Sequence, residues 1–306
     1  MHPSSPLSRR RLLLGGLSLA GLAACSGPAV PAGPVDANPP VPPTDERIEV
    51  LEQKYGVLVG LSAVDLRSGR RLAHRAGERF AMCSTFKAYA AAAVVEKSEN
   101  GELALTDTVT IEAADIISHS PVAEKRVGAP MTLAELCQAA LQQSDNAAAN
   151  WLLRILGGPP AITAFARSIG DGESRLDRWE TDLNSAVPGD LRDTTTPDAM
   201  GVGFRNLLAG DVLPAAGRRQ LEGWMLGNQT SSMRAGLPAG WTSADKTGGG
   251  GYGTTNDVGV AYAPDGQRLV MSIMSRSAAD DPEASGNRPL IGEIAALVVA
   301  ALYQRQ

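Results

Sequence analysis

The order of hydrophobic patterns along the chain predicts an α+β fold. Strand signals cluster at both ends of the folded part, a long stretch between them is mainly helical, and a further helix closes the chain. Strands drawn from both ends make an antiparallel five-stranded sheet flanked by terminal helices, and the inserted stretch becomes an all-helical subdomain. Residues 45–55 read as a helix with Ile48, Leu51 and Tyr55 on one face and Gly56 as its stop. Strands at 57–66 and 71–74 flank the turn Arg67-Ser68-Gly69-Arg70, a hairpin signal. From about 84 to 208 the pattern is helical, broken at Asn100-Gly101, at Gly157-Gly158-Pro159-Pro160 and over a polar stretch from 170 to 197. Strand signals return at 243–247, 257–263 and 268–275, the last two joined by Pro264-Asp265-Gly266-Gln267, and residues 289–303 form the closing helix. No internal repeat is visible.

The chain has 306 residues, 43% hydrophobic and 20% charged, enough for one large globular unit or two closely packed ones. A formal net charge of -5 offers no basic stripe, so no nucleic-acid partner is expected. Residues 1–25 stand apart. Arg9-Arg10-Arg11 precede an apolar run over 12–24 that is too short to span a bilayer, which reads as an export signal. The arginine cluster resembles a twin-arginine signal, and Leu22-Ala23-Ala24-Cys25 resembles a bacterial lipobox in which Cys25 is lipidated; an ordinary cleaved signal is the alternative. Residues 26–43 are a proline-rich tether. The domain is expected over 44–306, with 44–75 and 215–306 as its α/β part and 76–214 as its helical part. The protein is then exported, held on the outer side of the membrane by its lipid alone, or periplasmic or secreted if the lipid is absent. A monomer suffices.

Only Cys83 and Cys137 fall inside the domain, and both are expected to be free thiols. His2, His74 and His119 are the only histidines, without HxH or HExxH spacing, so neither a zinc site nor any other cofactor is expected.

In Cys83-Ser84-Thr85-Phe86-Lys87 a hydroxyl and an amine stand one helical turn apart, before an alanine-rich run. If Ser84 opens a helix, Lys87 shares its face and can reach it, while the helix N-terminus favours an oxyanion. A serine nucleophile needs such a neighbouring base. The same pair also fits a capping serine followed by a solvated lysine. Ser144-Asp145-Asn146 and Lys246-Thr247-Gly248 then add SDN and KTG in the order that, with SxxK, marks serine β-lactamases and penicillin-binding proteins.

Over the polar stretch, Arg178-Trp179-Glu180-Thr181-Asp182-Leu183-Asn184 resembles the omega loop of class A β-lactamases. From about residue 44 to its end the chain is identified as a member of that family. The resemblance implies Ser84 as the acylating nucleophile, with Lys87 and Glu180 sharing the general-base work; which of them activates Ser84 stays open. It implies Glu180 and Asn184 as holders of the hydrolytic water, and Arg178 with Asp193 as the loop's closing ion pair. Ser144 would relay a proton to the lactam nitrogen, and Lys246 would polarise that relay and attract the substrate carboxylate. Asn146 would bind the acylamide and Lys87, and the N–H groups of Ser84 and Gly249, beside Thr247 and Gly248, would form the oxyanion hole. Thr255 replaces a family arginine. Arg288 is the expected substitute on the carboxylate, directly or through Thr247, and Arg234 is a second candidate. His119 takes the place of an aromatic gate residue, either as an exposed loop histidine or as a ring flanking the cleft. Ala91 and Gly250 stand where relatives carry disulfide partners for Cys137 and Cys83. The glycines 248–251 leave the cleft edge without side chains, which predicts room for bulky oxyimino cephalosporins. The implied substrates are small β-lactams; a DD-peptidase and a non-catalytic lipoprotein binder are the alternatives, and Glu180 with Asn184 counts against the first.

Overall fold

The structure, a computed structural model, describes residues 43–303; the signal, Cys25 and the tether up to residue 42 lie outside the described residues. Helix α1 (Thr44–Tyr55) buries Ile48 and Leu51 and ends on Gly56, whose φ of 63° is the left-handed conformation that glycine adopts without strain. Strands β1 (Val57–Asp65) and β2 (Arg71–His74) form the expected hairpin. After the short β3 (Phe80–Ala81) and a single 3-10 turn at Cys83–Thr85, α2 (Phe86–Glu99) begins. Ten of its residues, from Phe86 to Val95, are buried, which explains the alanines: small side chains let surrounding helices approach this axis on every side.

Next come β4 (Thr108–Thr110), β5 (Pro130–Thr132), α3 (Leu133–Gln142), α4 (Asn146–Leu156) and α5 (Pro159–Ser168). The caps are local: Thr132 and Glu135 form a capping box on α3, and the Asp145 carboxylate accepts from Ala148 N at 2.9 Å to start α4. A long loop leads to β6 (Thr194–Thr195), which pairs with β3, and then to α6 (Pro197–Ala209) and α7 (Ala215–Leu226). Strands β7 (Thr242–Gly249), β8 (Thr255–Tyr262) and β9 (Arg268–Ser277) and helix α8 (Arg288–Leu302) complete the chain.

The expected five-stranded antiparallel sheet has the order β2-β1-β9-β8-β7. One face packs under α1 and α8 in an apolar cluster that includes Ile48, Leu61, Ile273 and Ile294. The other face carries Val258, Val260 and Val270 into a second cluster built on α2 to α7. Leu221, Trp224 and Met225 of α7 join this second cluster, so that helix packs with the helical layer. Because β8 and β9 are covered on both sides, their residues are buried almost without a break, polar ones such as Asn256, Asp257 and Ser272 included, instead of alternating between buried and exposed.

Candidate active site

Four segments converge beneath the C-terminal half of β7. The turn carrying Ser84 is fixed from behind: Asn256 Nδ2 donates to the carbonyls of Ala81 and Met82 at 2.8 and 3.2 Å, and Met82 N donates to Asp193 O at 2.8 Å. Cys83 takes a positive φ of 47° just before the serine. Ser84, 8% exposed, donates from Oγ to Glu180 Oε1 at 3.2 Å.

Lys87 is fully buried and does not hydrogen-bond Ser84. Its Nζ lies 2.9 Å from Glu180 Oε1, 2.6 Å from Asn146 Oδ1 and 2.8 Å from Ser144 O. The spacing puts the amine on the right face, but stronger acceptors turn it past the hydroxyl. Burial pushes the ammonium below its usual pKa, and the Glu180 charge opposes that shift. Both side chains of this ion pair are 0% exposed, so Glu180 is not a solvated loop carboxylate.

The SDN loop reaches the site because Asp145 pins it: its Oδ2 accepts from Val122 N and Ala123 N, both at 2.9 Å. Ser144, at a positive φ of 57°, then aims its hydroxyl between the lysines, 3.4 Å from Lys87 Nζ and 3.0 Å from Lys246 Nζ. Lys246, also fully buried, donates to Thr247 O at 2.8 Å. Burial first and the neighbouring Lys87 charge second push its pKa down to about 7.

The loop from Arg178 is closed as expected. Arg178 Nε meets Asp193 Oδ2 at 2.6 Å, and Asp193 Oδ1 accepts from the backbone of Asp177 and Arg178. Asn184 Nδ2 donates to Glu180 Oε2 at 2.5 Å. Its buried Oδ1 has no hydrogen-bond partner among the described residues. The residue missed in the sequence is Asn150: its Oδ1 accepts from Glu180 N and its Nδ2 donates to Glu180 O, both at 3.0 Å. It lies four residues after Asn146 on the same face of α4, a spacing that offered the signal.

A cavity of about 340 Å³ adjoins these groups, lined by Thr247, Gly248, Gly249, Thr230 and Arg288 among others. Arg288 Nε donates to Ser232 Oγ at 3.1 Å and its Nη2 to Thr230 O, while Thr230 and Thr247 share a hydroxyl contact of 2.6 Å. Arg234 is committed elsewhere. It donates to Asn228 O, Leu226 O and Ser243 O at 2.6, 2.9 and 2.8 Å, and lies 3.5 Å from Asp245, on the β7 side chains opposite to Lys246. His119 is exposed, its Nε2 3.0 Å from Gln143 O, and its backbone carbonyl accepts from Asn146 N at 3.0 Å. That holds the ring at the rim beside Asn146. Cys83 and Cys137 are free and buried, and burial raises both thiols.

The glycine run departs from expectation. A Cβ at Gly248 would lie 2.7 Å from Met82 O, one at Gly250 2.5 Å from Asn184 O and 2.8 Å from Cys83 Sγ, and one at Gly251 2.6 Å from Ser185 O. Only at Gly249 would a Cβ fit without displacing a neighbour, 3.7 Å from Thr254 O, so the run is packed against backbone and does not by itself widen the cleft. Gly250→Ala is expected to displace the Asn184 carbonyl and destabilise the fold by about 1–3 kcal/mol, as overpacking does. A thermal melt checks it; an unchanged midpoint contradicts the packing argument.

A serine aligned with a buried carboxylate, and a second hydroxyl aligned with two buried lysines, is the equipment of a serine hydrolase that works through an acyl-enzyme. Known proteins narrow this class. The profile of the Beta-lactamase enzyme family matches residues 43–302. Beta-lactamase AST-1 of Nocardia asteroides is 44% identical over 305 residues, 98% of each chain. Beta-lactamase CTX-M-8 of Citrobacter amalonaticus is 46% identical over 255 residues, covering 83% of this chain and 87% of its own. The solved structure of an ancestral (GNCA) class A β-lactamase superposes with a TM-score of 0.81 at 47% identity, covering 85% of this chain and 100% of that one. The chain belongs to the β-lactamase family, as a class A serine enzyme.

Proposed function

We propose that this cleft hydrolyses the β-lactam ring of penicillins and cephalosporins through an ester on Ser84, conferring resistance to these antibiotics. The observation that carries the reading is the buried Glu180 carboxylate, bonded on one oxygen to Ser84 and Lys87 and on the other to Asn184.

Ser84 Oγ attacks the lactam carbonyl carbon, giving its proton to Glu180, which it touches, or to Lys87 in its neutral amine form. The N–H groups of Ser84 and Gly249 stabilise the oxyanion. As the C–N bond breaks, Ser144 hands its proton to the departing nitrogen beside Lys246 and is resupplied from Lys87, which holds, or takes from Glu180, the proton that left Ser84, so that Glu180 is ionised again. Glu180 then takes a proton from a water whose other hydrogen the free Asn184 Oδ1 can accept, and the resulting hydroxide attacks the ester carbonyl. The ester C–O bond breaks and Ser84 recovers its proton. Asn146 holds the substrate acylamide, His119 flanks it, and Lys246, Thr247 and Gly248 receive the substrate carboxylate end. Asn150 positions Glu180 without touching substrate.

Turnover of a chromogenic cephalosporin by the wild type and by Glu180→Ala tests this. Many turnovers in the first and a single equivalent of product in the second support it. A stoichiometric burst in the wild type points to a penicillin-binding protein, and no reaction in either to a non-catalytic binder.

Arg288 supplies the guanidinium for the substrate carboxylate, acting beside Thr247 through Thr230. It has no carboxylate partner among the described residues, unlike Arg234. Arg288→Ala is expected to raise the KM for benzylpenicillin about tenfold with kcat little changed, the pattern of lost ground-state binding. Unchanged kinetics would remove Arg288 from the site.

The signal-like residues before 43 support a reading in which the enzyme acts as a monomer outside the cytoplasm, exported by a twin-arginine route and anchored through a lipid on Cys25. Cys25→Ser is expected to move activity from the membrane fraction to the soluble fraction; membrane retention in the variant overturns the anchor.

A further inference from the structure

Behind the loop that carries Glu180, four guanidinium groups line a second cavity. Arg79, Arg178, Arg192 and Arg276 surround a space of about 120 Å³ between residues 186–192, β3 and the end of β9, with Asp190 as the one carboxylate in its wall. Three of the arginines are paired: Arg178 with Asp193 at 2.6 Å, Arg192 with Asp190 at 2.7 Å, and Arg79 with Glu173. Arg276 is not. Half-buried at the end of β9, it donates only to Ser277 O, at 3.1 Å, and has no carboxylate within reach among the described residues.

A surplus cation in a half-enclosed space is unfavourable unless a counter-charge joins it. The arginine fork also matches the oxygen spacing of tetrahedral oxyanions better than a monatomic ion does. The volume suits one small ion, since drug-sized ligands need about 300 Å³ or more.

We propose that this cavity binds a small tetrahedral oxyanion, of the inorganic phosphate class, between Arg276 and the arginines of the loop. Such an ion ties residues 186–192 to β9 and to the segment before β3, and so stiffens from behind the loop that presents Glu180 and Asn184. The site is a different cavity from the catalytic cleft: Thr254 borders both, but none of the four arginines lines the cleft and Arg288 does not line this space.

The experiment is a phosphate titration of the soluble domain at constant ionic strength, made up with chloride, followed by thermal melting and by hydrogen exchange of the amides over 186–192. Saturable stabilisation is expected, about 3 °C at tenfold excess over the apparent Kd, with slower exchange in that segment. Arg276→Gln is expected to abolish both responses and to leave phosphate-free turnover of a chromogenic cephalosporin unchanged. Arg79→Gln gives a second reading if that variant folds poorly. Arg288→Ala keeps the response, because it alters only the cleft. A rise equal in wild type and Arg276→Gln, a rise without saturation, or one lost in Arg288→Ala each overturns the proposal, the last by moving the ion into the cleft.

Discussion

Glu180→Ala leaves an enzyme that is acylated once and recovers slowly, with steady-state turnover lower by about 10³-fold. A positioned general base contributes about 10²–10⁴-fold, or about 3–5 kcal/mol of barrier at 1.36 kcal/mol per tenfold. Glu180 holds both ends of the step it serves, with one oxygen on Ser84 and the other on Asn184, so no other side chain inherits its place. Its loss also leaves Lys87 buried with only the neutral acceptors Asn146 and Ser144, a condition that destabilises folds. Glu180→Gln therefore runs beside it, keeping the shape and most of the contacts. Intact mass after mixing with substrate reads the outcome. An adduct of one equivalent in both variants assigns acylation to Lys87 as base. Absence of an adduct, with the fold intact, assigns both steps to Glu180, which is the group Ser84 touches. Turnover within tenfold of the wild type would sink the deacylation role.

The main elements were legible because each leaves a local mark. Gly56 stops α1, the Arg67 to Arg70 turn joins β1 to β2, and Ser84, Lys87, Ser144 and Lys246 sit in motifs of three or four residues. What escaped depends on contacts between distant segments. Asn150 matters only because the loop folds back onto α4 and offers it both backbone groups of Glu180. The glycines at 248, 250 and 251 read as empty space along the chain, yet carbonyls of Met82, Asn184 and Ser185 occupy that space. The sequence ranked Arg288 ahead of Arg234 by its position near the start of the last helix, but could not show where either guanidinium is held. The turn over 228–236 sends Arg234 to the Asp245 side of β7 and leaves Arg288 in the wall of the cleft. A helical repeat alone could not show that Lys87 would prefer Glu180, Asn146 and Ser144 to the hydroxyl one turn away.

Lys246 sets the alkaline limit of activity, and the same burial moves stability the opposite way. With its pKa near 7, the group loses its charge as pH rises through neutrality, and with it the attraction for the substrate carboxylate and the pull on Ser144. The expected kcat/KM for benzylpenicillin falls on the alkaline limb, since that ratio reports the free enzyme. Lys246→Ala, which has no charge at any pH, is expected to lie about 10²-fold below the wild type at pH 6 and to close on it by pH 9. Lys246→Arg stays charged throughout and is expected to lose that limb, at a lower peak because the planar fork fits the site less well. Lys87, also lowered by burial, titrates beside it, and the arginine swap separates the two. For stability, both folded and unfolded chains hold the proton below pH 7, so the group adds no pH dependence there. Between about 7 and 10.5 the unfolded chain binds a proton that the folded chain does not, so unfolding free energy from this group rises with pH, by up to about 1.4 kcal/mol per unit. Urea titrations of wild type and Lys246→Met at pH 7 and 9 isolate it: the wild type gains relative to the variant as its activity declines. An alkaline limb unchanged in Lys246→Arg would assign the limit to Lys87 instead.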